Sequence, residues 1–109
     1  MKDAMEDYKG RPMALAGAVS YADGAVVSKT LMNKKTGTLT LFAFDAGQSL
    51  SEHTSPYDAT VYILDGQATL MIGGERVEAK AGEMVIMPAN VPHDVQAGER
   101  FKMLLIMIR

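Results

Sequence analysis

The sequence contains no cysteine and no tryptophan, and only two of its 109 residues are histidine. Without cysteine, disulfide bonds, thiolate metal sites and cysteine nucleophiles are excluded, which fits a reducing compartment and predicts a cytoplasmic protein. Basic residues are slightly outnumbered: 11 lysines and arginines face 13 acidic residues, and the net charge is −2. The only basic pair is Lys34-Lys35, so the charge balance gives no support to nucleic-acid binding.

The sequence also lacks an apolar stretch long enough to span a membrane. The N-terminal segment MKDAMEDYKG is acidic and polar where a secretory signal would need an apolar core, and no run approaches the roughly 20 apolar residues of a spanning helix. Hydrophobic residues make up 48% and charged residues 22%, as is ordinary for a soluble globular domain. We therefore expect one domain, with residues 1–12 as an N-terminal arm and residues 13–109 as the folded unit.

Short apolar runs punctuated by glycine fill the chain after residue 20. Turn formers often stand beside the glycines, as in Asp23-Gly24 and Asp65-Gly66. Eight runs rich in Val, Ile, Leu, Thr and Phe lie between them: AVVSKTLMN, GTLTLFAFD, DATVYILD, QATLMI, ERVEAK, EMVIMP, VPHDVQA and RFKMLLIMIR. This pattern predicts an all-β fold, and Gly73-Gly74 is typical of a two-residue hairpin turn. Several runs are apolar on both faces, which favours a dimer.

The two histidines stand in different surroundings. Alternation along residues 91–97 gives His93 the same face as Val95 and Ala97, so we expect His93 to point inward. His53 lies in EHTSPYDATVYILDG, where polar side chains lead into an apolar strand. The spacing between His53 and the glycines around it indicates its role.

Two gapped patterns surround these histidines. From residue 47 the chain reads GQSLSEHTSPYDATVYILDG, and from residue 82 it reads GEMVIMPANVPHDVQA. Both stretches resemble motifs of the cupin superfamily, and the residues in register with them are Gly47, His53, Gly66, Gly82, Pro88 and His93. The resemblance implies a single-domain double-stranded β-helix, which is a jelly-roll barrel, with both histidines at a ligand cavity in its mouth. It also implies a homodimer.

The chain departs from the metal set that the resemblance implies. Cupins hold a metal with two histidines and a glutamate of the first motif and one histidine of the second, but Ser55 and Ala59 occupy two of these positions here. His53 and His93 remain, and a catalytic zinc site normally has three protein ligands. Asp58 is the candidate third ligand for one divalent ion (Zn, Fe, Mn or Ni), although alternation opposes it because Ala59 is its neighbour.

These observations favour a protein that binds a small molecule in a cavity built around the two histidines, with a metal ion as one candidate occupant. The side chains expected to line the cavity are Ser55, Tyr57, Phe42, Phe44, Met87 and Met103. The alternative is a metal-dependent enzyme of isomerase, dioxygenase or decarboxylase type, with Asp58 completing the metal site. A third hypothesis is a vestigial cavity in a protein that acts through another protein.

Overall fold

A computed structural model describes residues 8–109 and shows an all-β chain. The strands are β1 Val26–Lys34, β2 Gly37–Phe44, β3 Ser49–His53, β4 Ala59–Ile72, β5 Glu75–Lys80, β6 Met84–Met87, β7 His93–Gln96 and β8 Phe101–Ile108. The 3-10 turn Leu15–Gly17 precedes them. No helix within residues 8–109 is long and apolar enough to cross a membrane.

The strands form two antiparallel sheets that share the long strand β4. In the first sheet the order is β1-β2-β8-β4-β6, and the first half of β4 takes part. In the second sheet the second half of β4 lies between β5 and β7, and β3 pairs with the other edge of β7. The curled arrangement confirms the predicted jelly-roll fold.

The main core lies between the inner faces of the two sheets. Its largest fully buried side chains include Phe44, Ile63, Leu70, Val95, Phe101 and Met103. Phe44 stacks on Phe101 with ring centroids 4.5 Å apart, an arrangement that adds to the stabilisation from apolar burial. This core fixes the strands whose ends carry both histidines.

Strand β4 differs from the prediction of two strands joined by an Asp65-Gly66 turn. The chain runs without interruption from Ala59 to Ile72, because Gly66 adopts a positive φ of 73° and still pairs with Phe101 of β8. The register shifts between Ile63 and Asp65, as expected for a β-bulge. The predicted Gly73-Gly74 turn is confirmed, since both glycines have positive φ and join β4 to β5.

A second apolar cluster lies on the outer face of the first sheet. Residues before β1, among them Leu15 and Val19, pack there against Leu41 and Leu104. The N-terminal segment therefore covers part of the sheet with its own apolar side chains. The division into an arm of residues 1–12 and a barrel of residues 13–109 stays a prediction, and residues 1–7 of that arm lie outside the described residues.

Candidate functional site

His93 opens strand β7 and points inward. It pairs with Ile72 of β4 on one side and with His53 of β3 on the other. Its side chain is only 3% exposed, and Val95 two residues later is 2% exposed on the same face. The face that alternation predicts for His93 is therefore the observed one.

A bulge in strand β3 brings His53 to the same face. Leu50 pairs with Val95 and His53 pairs with His93, so three steps along β3 match two steps along β7. The extra residue reverses the alternation between Leu50 and His53. Without it, Glu52 would share the inward face of Leu50 and His53 would point away.

The two imidazole rings contact each other directly. The Nε2 atoms of His53 and His93 lie 3.2 Å apart, and the rings meet edge to face with centroids separated by 4.4 Å. His93 is buried whereas His53 is exposed to solvent. The pair therefore stands at the boundary between the barrel interior and water.

Both rings are anchored by the carbonyl oxygen two residues before them. The Nδ1 of His53 lies 2.8 Å from the Ser51 oxygen, and the Nδ1 of His93 lies 3.1 Å from the Val91 oxygen. Because a carbonyl oxygen can only accept, each Nδ1 carries the hydrogen in the neutral ring. In the neutral tautomer that these carbonyls favour, each Nε2 presents a lone pair to the other, which gives two converging acceptors with no donor between them.

Two loops that flank the histidines in sequence are joined to each other by hydrogen bonds. Residues 54–58 follow His53 and residues 88–92 precede His93, and the Asn90 N–H donates to the Ser55 oxygen across 2.7 Å. The Ala89 N–H donates to an Asp58 carboxylate oxygen at 2.8 Å. The Ser55 hydroxyl in turn accepts the Tyr57 N–H at 3.1 Å. The end of the barrel that carries these loops is called the mouth below.

The structure does not bring Asp58 together with the two histidines. Its carboxylate is exposed and accepts the hydrogen bond from Ala89 instead. Tyr57 is 40% exposed and lines a cleft on the outer face of the first sheet, beside Ile86 and Ile108. Ser55, half-buried, is held in the loop by its contacts with Tyr57 and the other loop.

The apolar residues expected to line the cavity divide into two groups. Phe44, Met87 and Met103 are 0%, 3% and 1% exposed and belong to the main core. Phe42 is half-buried against that core, with its ring centroid 6.0 Å from that of Phe44. Ile72, which is not among the predicted lining residues, is also half-buried and stands directly beside His93.

Two features that build this site have no signal in the sequence. The bulge in β3 and the carbonyl anchors depend on backbone geometry, which the residue types of SLSEH do not reveal. Ile72 has a usable signal, because the alternation that makes Leu70 inward-facing makes Ile72 inward-facing too. Its proximity to His93 still requires knowledge of which strand pairs with β7.

The donor set supports at most a partial metal site. Within residues 8–109 no group of three or more His, Cys, Asp or Glu side chains is arranged to hold a metal ion. The position that the resemblance reserves for glutamate is Ala59, which is 1% exposed in the main core. His53 and His93 fit two positions of an ion's shell, and the others would fall to water or to a ligand.

Two groups with shifted pKa values lie away from the pair, where the N-terminal segment meets the first sheet. Burial, and then a 2.6 Å hydrogen bond to the Asp65 carboxylate, raise the pKa of Tyr21 well above its usual value. Hydrogen bonds from the Arg100 guanidinium and the Gly24 N–H lower the pKa of Asp45. These contacts tie the segment before β1 to the barrel and are structural in character.

The observed barrel and the two motifs agree with a comparison of the sequence with known families. The family model of the cupin domain matches residues 40–108. The chain belongs to the cupin family. A crystal structure of a conserved protein of unknown function from Streptococcus pyogenes is 34% identical to this cupin, with a TM-score of 0.87. The similarity covers 92% of this chain and 88% of that one.

Other relatives support the same assignment. A cupin 2 conserved barrel domain protein from Leptotrichia buccalis is 42% identical over 87% of this chain, with a TM-score of 0.84, but the match covers only 46% of that protein. An uncharacterized protein of Streptomyces coelicolor is 28% identical over 71 residues, which are 65% of this cupin and 66% of the relative. The chain thus spans slightly less than two thirds of this relative and under half of the Leptotrichia protein.

Proposed function

We propose that this cupin binds a small molecule at the mouth of its barrel and that His53 and His93 are the polar anchor of the site. The observation that supports this proposal is the 3.2 Å distance between their Nε2 atoms. Two acceptors that face each other without a donor leave an unmet interaction, which a ligand N–H or O–H group satisfies. Only His93 is buried, at 3% exposed, whereas His53 faces solvent, so a donor group that enters from the solvent side can reach both Nε2 atoms.

The surroundings of the pair indicate an amphipathic ligand. Ile72, the strand partner of His93, offers half-buried apolar surface beside the pair, and small-molecule sites combine such walls with a few fixed polar groups. The donor group of the ligand would meet the two Nε2 atoms while its apolar part contacts Ile72. His53 is exposed, so the polar end of the ligand is reached from solvent.

A ligand screen on matched variants tests this proposal. Thermal shifts would be measured with panels of amines, alcohols and acids on the wild type, on His53→Ala and on Glu52→Ala. Glu52 and His53 are both exposed neighbours in β3, but only His53 belongs to the pair. We expect compounds that stabilise the wild type to bind Glu52→Ala with the same affinity. The same compounds should bind His53→Ala at least about tenfold less tightly, which corresponds to the loss of a hydrogen bond worth roughly 1.4 kcal/mol. Equal binding to all three proteins would refute the role of the pair.

Long-range ¹H–¹⁵N NMR spectra of the imidazoles provide a direct readout of the anchor. We expect both rings to carry hydrogen on Nδ1 at a pH where they are neutral, because both Nδ1 atoms face carbonyl oxygens. Ligand binding should shift the Nε2 resonances more than the Nδ1 resonances. A spectrum with hydrogen on either Nε2 would contradict the converging-acceptor geometry.

A weakly held divalent metal ion is the second candidate occupant. Two imidazole nitrogens at about 2.0–2.1 Å from one tetrahedral Zn²⁺ lie about 3.3 Å apart, close to the observed 3.2 Å. His53 and His93 would hold the ion, and a bound ion would supply Lewis-acid chemistry for the alternative enzymatic function. Metal analysis of tag-free protein after incubation with Zn, Fe, Mn and Ni, repeated on His53→Ala and Glu52→Ala, tests it. Equal metal content in both variants would rule out the pair as the ligand set.

We further propose that the protein acts as a homodimer, since apolar side chains occupy both faces of the first sheet. Light scattering at several concentrations measures this directly. The cytoplasmic location that the lack of cysteine predicts stays a prediction, and fractionation of cells that produce the full-length protein tests it.

A further inference from the structure

The large apolar side chains that remain most exposed within residues 8–109 gather on one surface. They are Tyr57, Tyr62, Met84, Ile86 and Ile108, with exposed fractions of 40%, 37%, 59%, 54% and 74%. All belong to β4, β6, β8 or the loop before β4, and we call this surface the β4–β6–β8 face. Single exposed apolar side chains are ordinary, whereas a cluster of this kind marks an interaction site.

Strand pairing shows that the face is continuous. Tyr62 of β4 lies opposite Met84 of β6, and Thr60 of β4 lies between Ile86 of β6 and Ile106 of β8. Farther towards the mouth, Tyr57, Ile86 and Ile108 line a shared cleft of about 490 Å³. The five side chains therefore form one patch on the outer face of the first sheet.

We infer that the β4–β6–β8 face binds the same face of a second copy of this chain around a two-fold axis. This inference specifies the surface of the homodimer proposed above and rests on that proposal. With about 200 Å² for a large side chain, the five exposed fractions sum to roughly 500 Å² of apolar surface on each copy. Standard-size stable interfaces bury about 800 Å² per partner, and these five side chains alone supply more than half of that area.

Charge favours a second copy over a partner of different chemistry. A two-fold contact sets each surface against itself, so any charge near the axis would meet a like charge. Along β6 and the facing part of β4, the outward residues are Met84, Ile86, Thr60 and Tyr62, and none is charged. Asp58 lines the mouth end of the cleft, where its carboxylate accepts the Ala89 N–H, and Glu83 and Arg109 flank the patch in sequence. The face is thus suited to self-association and offers a charged partner nothing to pair with at its centre.

The same face adjoins the loops that carry the histidines. The cleft is lined by Tyr57 and Asp58, which follow His53, and by Ala89, which precedes His93. The Asp58–Ala89 hydrogen bond ties the two loops at this place. A second copy on this face would contact both loops, so dimer formation would restrict the motion of the loops that position the two imidazoles.

Charge-introducing variants in β6 test the inference. Met84→Lys and Ile86→Lys alter exposed side chains, and Gln96→Lys is the matched control because Gln96 is an exposed strand residue of the second sheet. Sedimentation at several concentrations should show a dimer for the wild type and the control. Since a two-fold interface repeats each substitution, we expect the β6 variants to raise the dimer dissociation constant by at least about 100-fold. Circular dichroism checks that the barrel is retained, and Ile108→Lys replaces any β6 variant that fails to fold.

Spin labels locate the interface independently. The chain has no cysteine, so Met84→Cys and Gln96→Cys each carry one label per copy. We expect the labels at residue 84 to lie closer together across the dimer than those at residue 96, because the two sheets face opposite directions. Amide exchange at Ala89 and Asn90 should accelerate in the monomeric Ile86→Lys variant and stay unchanged in Gln96→Lys.

The outcomes separate the interface from the homodimer itself. A wild type that remains monomeric at hundreds of micromolar would overturn both. A wild-type dimer that Met84→Lys, Ile86→Lys and Ile108→Lys leave intact would overturn the assignment to this face while the homodimer stands. Ligand binding at the pair is measured separately and does not decide either result.

Discussion

Gly66 is expected to be the glycine least tolerant of a side chain, because two independent costs meet there. Its φ of 73° lies in the left-handed region, where an L-residue with a Cβ loses about 1–2 kcal/mol. A Cβ at Gly66 would also meet the backbone oxygen of Arg100 and the Cα of Phe101, both in the chain entering β8. Backbone cannot swing aside as a flexible side chain can, so β4 and β8 would have to separate.

The chain offers controls that isolate each cost. Gly74 has a φ of 82° but no atom within 4 Å of the place that a Cβ would take, so Gly74→Ala tests the left-handed conformation alone. Gly37 does not have a positive φ, but its Cβ would meet the Met107 backbone oxygen, so Gly37→Ala tests the close approach alone. We expect Gly74→Ala to lower the free energy of unfolding by about 1 kcal/mol, after the gain from a stiffer unfolded chain. Overpacking adds about 1–3 kcal/mol, so Gly66→Ala should lose roughly 2–4 kcal/mol.

Urea denaturation followed by circular dichroism measures these differences. At this chain length 1 kcal/mol corresponds to a Tm change of about 4–8 °C, so in thermal scans Gly66→Ala should melt at least about 8 °C below the wild type. The Tm of Gly74→Ala should fall by at most about half as much. Equal losses for Gly66→Ala and Gly74→Ala would refute this reasoning, since they would show that the approach of β8 contributes nothing.

Three further changes have defined outcomes. Because the pKa of Tyr21 is raised, its contribution to the free energy of unfolding is complete below pH 10 and declines as the pH rises above 10. Tyr21→Phe loses the hydrogen bond to Asp65, so its free energy of unfolding should be about 1 kcal/mol lower at pH 7 and should fall less steeply at alkaline pH in urea titrations. An alkaline fall as steep as that of the wild type would contradict this. Asp58→Ala should speed amide exchange at Ala89, and unaltered exchange would show that the loops do not need this bond. Deletion of Glu52 removes the extra residue of the bulge in β3 and places the histidine two positions after Leu50, so it should stay on the inward face and keep its NMR contacts with His93; loss of these contacts while the fold persists would disprove this account of the bulge.

The inward face of β7 could be predicted because it depends on side-chain alternation alone. His93, Val95 and Ala97 are spaced by two residues, and all three are buried. The Gly73-Gly74 turn was equally accessible, because two adjacent glycines between strand-forming residues are typical of a turn with positive φ at both positions. Local chemistry determined each of these features, so one sequence was enough to identify them.

Strands β3 and β4 could not be predicted in this way, since long-range pairing determines their form. SLSEH has no clear apolar alternation and becomes a strand because β7 pairs with it. Gly66 carries the mark of a turn, yet β8 pairs alongside it and keeps the strand continuous. The position of the bulge that orients His53 also depends on the pairing of β3 with β7, so the residues of β3 alone do not predict it.

The packing around Ala59 disfavours a glutamate at the position that the cupin motif reserves for a metal ligand. Ala59 is 1% exposed and pairs with Met87 on one side and Met107 on the other. A glutamate there would bury a carboxylate among apolar side chains, at a cost of several kcal/mol unless an ion or hydrogen-bond donor accompanied it. Restoring the carboxylate would therefore require the neighbouring core to change as well.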